Sequence, residues 1–135
     1  MNTEYSYIHD NEVLSYHVDI HNGKLEMLTK YADKERTMIT FVGYIAHRFE
    51  YVTYRNIINH ITQISIDDFV DRNSAVLEDG VRNAFPIFAK NCEELRDYLK
   101  KKEKKIFEIS STLGLSGFVI STDILIEVQE LQESE

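Results

Sequence analysis

Asn22-Gly23, set between two runs that alternate apolar and polar residues, constrains the fold of this chain more than any other feature. A two-residue type I′ turn needs positive φ at both central positions, and Asn-Gly adopts it most readily, so the segment predicts a β-hairpin. In that register His21 faces Lys24, Ile20 pairs with Leu25 and Val18 with Met27, and Leu14 lies opposite Tyr31 on the apolar face. The other face carries His17, Asp19 and His21, with Glu26 across from Asp19.

Imidazoles and carboxylates on one strand face are the chemistry of a metal site. His17 and His21, however, stand roughly 13 Å apart at about 3.3 Å per residue, too far to share one ion. His17 with Asp19, or Asp19 with His21 and Glu26, supplies two or three ligands, and no second cluster of His or Cys joins them. A solvated hairpin face is the primary reading, with no cofactor. A metal-binding domain or small metal-dependent enzyme on His17, Asp19, His21 and Glu26 is the alternative.

At 135 residues the chain has the size of a single domain, spanning 1–135, and can bury roughly two thirds of its unfolded surface. A lone cysteine, Cys92, forms no internal disulfide and supports a reducing compartment. With neither a leader-like start nor a long apolar run, the expectation is a cytoplasmic protein that does not engage the membrane. The net charge of −8 opposes nucleic-acid binding and favours a protein partner with a basic surface. Asp67, Asp68, Asp71, Glu78 and Asp79 concentrate that charge mid-chain and are the candidate partner-binding residues.

Thr37 to Val42 reads as a third strand completing a meander, and Tyr44 to Tyr54 extends the sheet after a bend at Gly43. In 56–64, isoleucines at helical spacing compete with β-branched propensity, and the strand is preferred because Ser65 and Asp68 resemble a helix N-terminus that follows. Residues 74–90, with Gly80 and Pro86, read as an irregular connection. Asn91 caps the main helix near 92–102, whose acidic first turn and basic end suit the macrodipole. Lys100 to Lys105 reads as its solvated end, and Ile106–Ile109, Phe118–Ile120 and Ile124–Val128 as later strands, with a fraying tail beyond. The fold class is α+β: an antiparallel sheet of five to seven strands, a meander and a C-terminal hairpin, packed against one main helix.

No catalytic constellation is legible. Gly114-Leu-Ser116-Gly117 misplaces the second glycine of a hydrolase elbow and joins two strands rather than a strand and a helix. Cys92 sits at a helix start, where the dipole lowers a thiol pKa, but Glu93 and Glu94 oppose that effect. His9, His47 and His60 are isolated in sequence.

Ile8-His9-Asp10 before the hairpin, Asn56-Ile57-Ile58, and the turn Ser110-Ser111 with Gly114 to Gly117 together resemble a loose group of small bacterial proteins, some of them immunity proteins that protect a cell from a toxin. The resemblance implies a non-enzymatic, protein-binding module, an immunity-type inhibitor of a basic toxin or other partner, and carries no catalytic residue. A structural or self-associating domain, a homo-oligomer using Tyr44, Tyr51 and Tyr54 as aromatic anchors, is the further alternative.

Overall fold

The structure, a computed structural model, describes residues 3–5, 8–32 and 35–130. Its elements are β1 Thr3–Tyr5, β2 Glu12–Asp19, β3 Lys24–Tyr31, β4 Glu35–Val42, β5 Ala46–Glu50, β6 Ile57–Ile64, α1 Ile66–Arg72, α2 Ser74–Val81, α3 Cys92–Lys101, β7 Lys105–Leu113, β8 Ser116–Ser121 and β9 Asp123–Glu130. Every strand pairing is antiparallel, in the order β5-β8-β7-β6-β2-β3-β4-β9, and β1 pairs with β6. Among the described residues no helix is long and apolar enough to cross a membrane.

The β2-β3-β4 meander forms as the alternation predicts, but the first hairpin is offset by two residues. Asp19, not His21, faces Lys24; Val18 pairs with Leu25 and Tyr16 with Met27. Of the Asn-Gly pair only Gly23 takes a positive φ (63°), so the turn is not type I′. Gly23 N donates to Ile20 O at 3.2 Å, and the Asp19 carboxylate accepts from the backbone and side-chain nitrogens of Asn22 at 3.1 and 2.7 Å. A slip of two keeps each side chain on its face, which is why Leu25 and Met27 are buried as their alternation requires. The same slip takes Leu14 away from Tyr31, and a register shift between Val13 and Ser15 leaves Leu14 with no register partner among the described residues of β3; both side chains are exposed.

The C-terminal hairpin forms between β7 and β8, joined within 110–117 as the sequence predicts, and β9 then leaves β8 to pair with β4. Together β4–β5 and β8–β9 make one bent antiparallel ribbon: Val42 pairs with Asp123 before the bend and Ala46 with Ile120 after it. Thr122 N to Val42 O (2.8 Å) and Ile45 N to Ile120 O (3.0 Å) stitch the corner. Gly43, at φ 66°, occupies the bend, where a Cβ would overlap the Thr122 side chain. Lys104 is not a solvated helix end: its Nζ donates to Gly43 O at 2.9 Å and to Thr122 Oγ1 at 3.0 Å.

Phe41 of β4 lies 5.6 Å from Phe107 of β7, and Tyr16 of β2 5.2 Å from Phe49 of β5, between ring centroids. Those strands are distant in sheet order, so the sheet folds back on itself around Leu25, Met27, Ile39, Phe41, Ile61, Phe107 and Val119. On its outer face β6, β7 and β8 present Ile64, Ile106, Phe118 and Ile120 to the helices. The single main helix is also corrected: α1, α2 and α3 share this cover, and each contributes only two buried residues, Phe69 and Val70, Leu77 and Val81, Leu95 and Leu99. α2 arises inside the stretch expected to be irregular, which begins only after Val81. Segment 57–64 is a strand, and Ser65 and Asn91 cap α1 and α3 by accepting from Asp68 N (3.0 Å) and Glu94 N (2.9 Å). The expected frayed tail at 131–135 lies outside the described residues.

Candidate functional site

On the hairpin face, His17 faces Glu26 and Asp19 faces Lys24, while His21 lies in the turn. Hydrogen bonds from Asn22 occupy both Asp19 oxygens and hold that carboxyl below its ordinary range. Lys24 Nζ lies 3.4 Å from Glu26 Oε1. Both carboxylates proposed as ligands are thus engaged by neighbouring nitrogens, and among the described residues no group of three or more His, Cys, Asp or Glu is arranged to hold a metal ion.

The mid-chain acidic residues divide. Arg96 of α3 reaches Asp67 at 2.5 Å and Asp71 at 3.1 Å, and Lys100 reaches Asp67 at 2.9 Å, so these two join α1 to α3. Hydrogen bonds from Lys100 and Arg96 lower the Asp67 pKa. Asp68, Glu78 and Asp79 stay exposed. The Cys92 thiol is pushed up to about 11, by burial first and then by Glu78, which leaves it protonated and unreactive at neutral pH.

A third arrangement surrounds Asn56, which is buried. Its Oδ1 accepts from Thr53 N (3.0 Å) and Leu115 N (2.9 Å), its Nδ2 donates to Thr53 O (2.8 Å), and its carbonyl accepts from Val13 N (2.7 Å). The Asn56 side chain therefore pins the loop 51–55 to the β7–β8 turn, and its backbone carbonyl ties it to β2. Upon this fixed loop Tyr51 is 76% and Tyr54 93% exposed, with Val52 between them and exposed Leu14 and Leu113 on the neighbouring strands. Tyr44 belongs elsewhere: it packs against the interior, and its Oη lies 2.6 Å from His47 Nδ1 in a hydrogen bond.

The outer face of β5, β6, β7 and β8 holds what sequence reasoning missed. The ladders place Ile64, Ile106, Ile120 and Ala46 in one apolar row; the next row is Thr62, Glu108, Phe118 and Arg48, and the one beyond is His60 with Ser110 and Ser116 with Glu50. The helices cover the apolar row and Phe118, and a groove of about 390 Å³ opens where their cover stops, walled by Asn73 and Val76. The signal available in sequence was the alternation Ile106-Phe-Glu-Ile-Ser110, in which the face that starts apolar turns polar. Comparison with family profiles, curated proteins and solved structures returns no match.

Proposed function

We propose that this chain is a non-enzymatic protein-binding module of the immunity-inhibitor kind, and that the loop 51–55 is its principal contact. The observation that supports this is the exposure of Tyr51 and Tyr54 on a backbone fixed by Asn56. Large aromatic side chains in water gain free energy when a partner covers them, and a loop already held in place loses little entropy on binding. The net charge of −8 steers a partner with a basic surface, and the exposed Asp68, Glu78 and Asp79 carry that attraction better than Asp67 and Asp71, which are already paired.

The test is capture of partners from host lysate at two salt concentrations, comparing the native chain with a Tyr51→Ala/Tyr54→Ala variant and an Asp68→Lys/Glu78→Lys/Asp79→Lys variant. A protein held by the native chain, lost with the tyrosines and weakened by charge reversal or salt, is the expected result. Equal capture by all three chains overturns the assignment of the surface.

A further inference from the structure

We propose that the groove on the outer face of β5–β8 is a binding site for a small, neutral, polyhydroxylated ligand of the sugar or polyol class. Its floor is rigid, since His60, Thr62, Glu108, Ser110, Ser116 and Arg48 stand on four hydrogen-bonded strands. Its wall is the elbow between α1 and α2, where Asn73 is held by a bond from its Nδ2 to Phe69 O at 2.8 Å.

The charges in and beside the groove cancel. Arg48 lies 3.2 Å from Glu50 and Arg72 3.4 Å from Glu108, so each carboxylate already has a guanidinium and neither sign is in excess. A phosphate or carboxylate ligand needs cations without partners, and a polycation needs acids without partners; this groove offers neither. By contrast the side chains of His60, Thr62, Ser110 and Ser116 are half-buried and make no hydrogen bond within the described residues. They are donors and acceptors of both kinds on adjacent strands, beside the apolar edges of Val76 and Phe118. Small-molecule sites combine an apolar lining with a few placed polar groups, in a volume of roughly 300 to 1,000 Å³. A ring bearing several hydroxyls can meet four such groups at once while its C–H faces lie against the apolar edges.

Titration of the isotopically labelled full chain with glucose, N-acetylglucosamine and myo-inositol, followed by residue-resolved NMR, tests this. Inorganic phosphate and free lysine serve as charged comparisons. Saturable shifts centred on residues 60–62, 108–110 and 116–118 with a neutral probe, weakened about tenfold by Ser110→Ala or Thr62→Val, are expected, as for the loss of one hydrogen bond. Each substitution removes a hydroxyl with little change of shape, and a native-like spectrum of the free variant establishes that it folds. Absence of saturable shifts with every neutral probe overturns the proposal, as does a stronger response at these residues to phosphate or lysine.

Discussion

His47 shows how a single side chain on an edge strand couples stability to pH. Its ring lies 4.7 Å from that of Phe49 and 6.4 Å from that of Tyr16, and burial lowers its pKa below the usual 6.5. The unfolded chain therefore takes up the proton first, so stability falls as pH drops below about 6.5 and levels off once the folded imidazole is also protonated. Asp19 and Asp67 are shifted below 3.8, so their contribution is lost only under more acidic conditions and does not overlap this window. Thermal melts at pH 7.5 and 5.5 should show a smaller loss on acidification for His47→Gln than for the native chain; an equal loss would place the titration elsewhere. Sequence marked His47 only as isolated: Phe49 shares its strand face two residues on, but Tyr16 comes from β2, which no local pattern joins to β5. The hairpin faces were legible because a period of two survives a slip of two residues, whereas the turn was not, since Asp19 captures Asn22 by a side-chain bond.

Among the elements, the bent ribbon decides the architecture. Strand propensity placed β4, β8 and β9 correctly, and Gly43 was legible as a bend, but nothing local distinguishes a strand that turns back on its predecessor from one that passes a corner to a distant partner. That choice rests on the fit of Gly43 against Thr122 and on Lys104 binding both. Gly43→Ala puts a methyl into the Thr122 side chain and requires φ near 66° of a residue with a Cβ. Denaturant unfolding should show a loss of about 2 to 6 kcal/mol, the sum of overpacking and left-handed strain. A loss below about 0.5 kcal/mol would mean that the corner relaxes freely. The helices were legible where caps announce them, at Ser65 and Asn91; α2 has no side-chain cap bond, and so it was missed.

For the molecule as a whole, strand β7 couples the two buried clusters. Phe107 points into the folded sheet against Phe41 and Tyr5, and the adjacent Ile106 points to the helices. Val119 and Ile120 of β8 repeat the division. Neither cluster can lose its floor while the other keeps it, so helix layer and sheet interior should unfold as one cooperative unit. Far-ultraviolet circular dichroism reports the backbone, and near-ultraviolet signals report the eight tyrosines, with no tryptophan to obscure them. The two melts should coincide in the native chain and move down together in Leu99→Ala, which empties the helix side, and in Phe107→Ala, which empties the interior. Each truncation removes a fully buried side chain, at a cost of about 2 to 5 kcal/mol. If Leu99→Ala shifted the backbone transition and left the tyrosine transition in place, the helices would be an independent layer. The outer groove would then have a wall able to open without unfolding the floor.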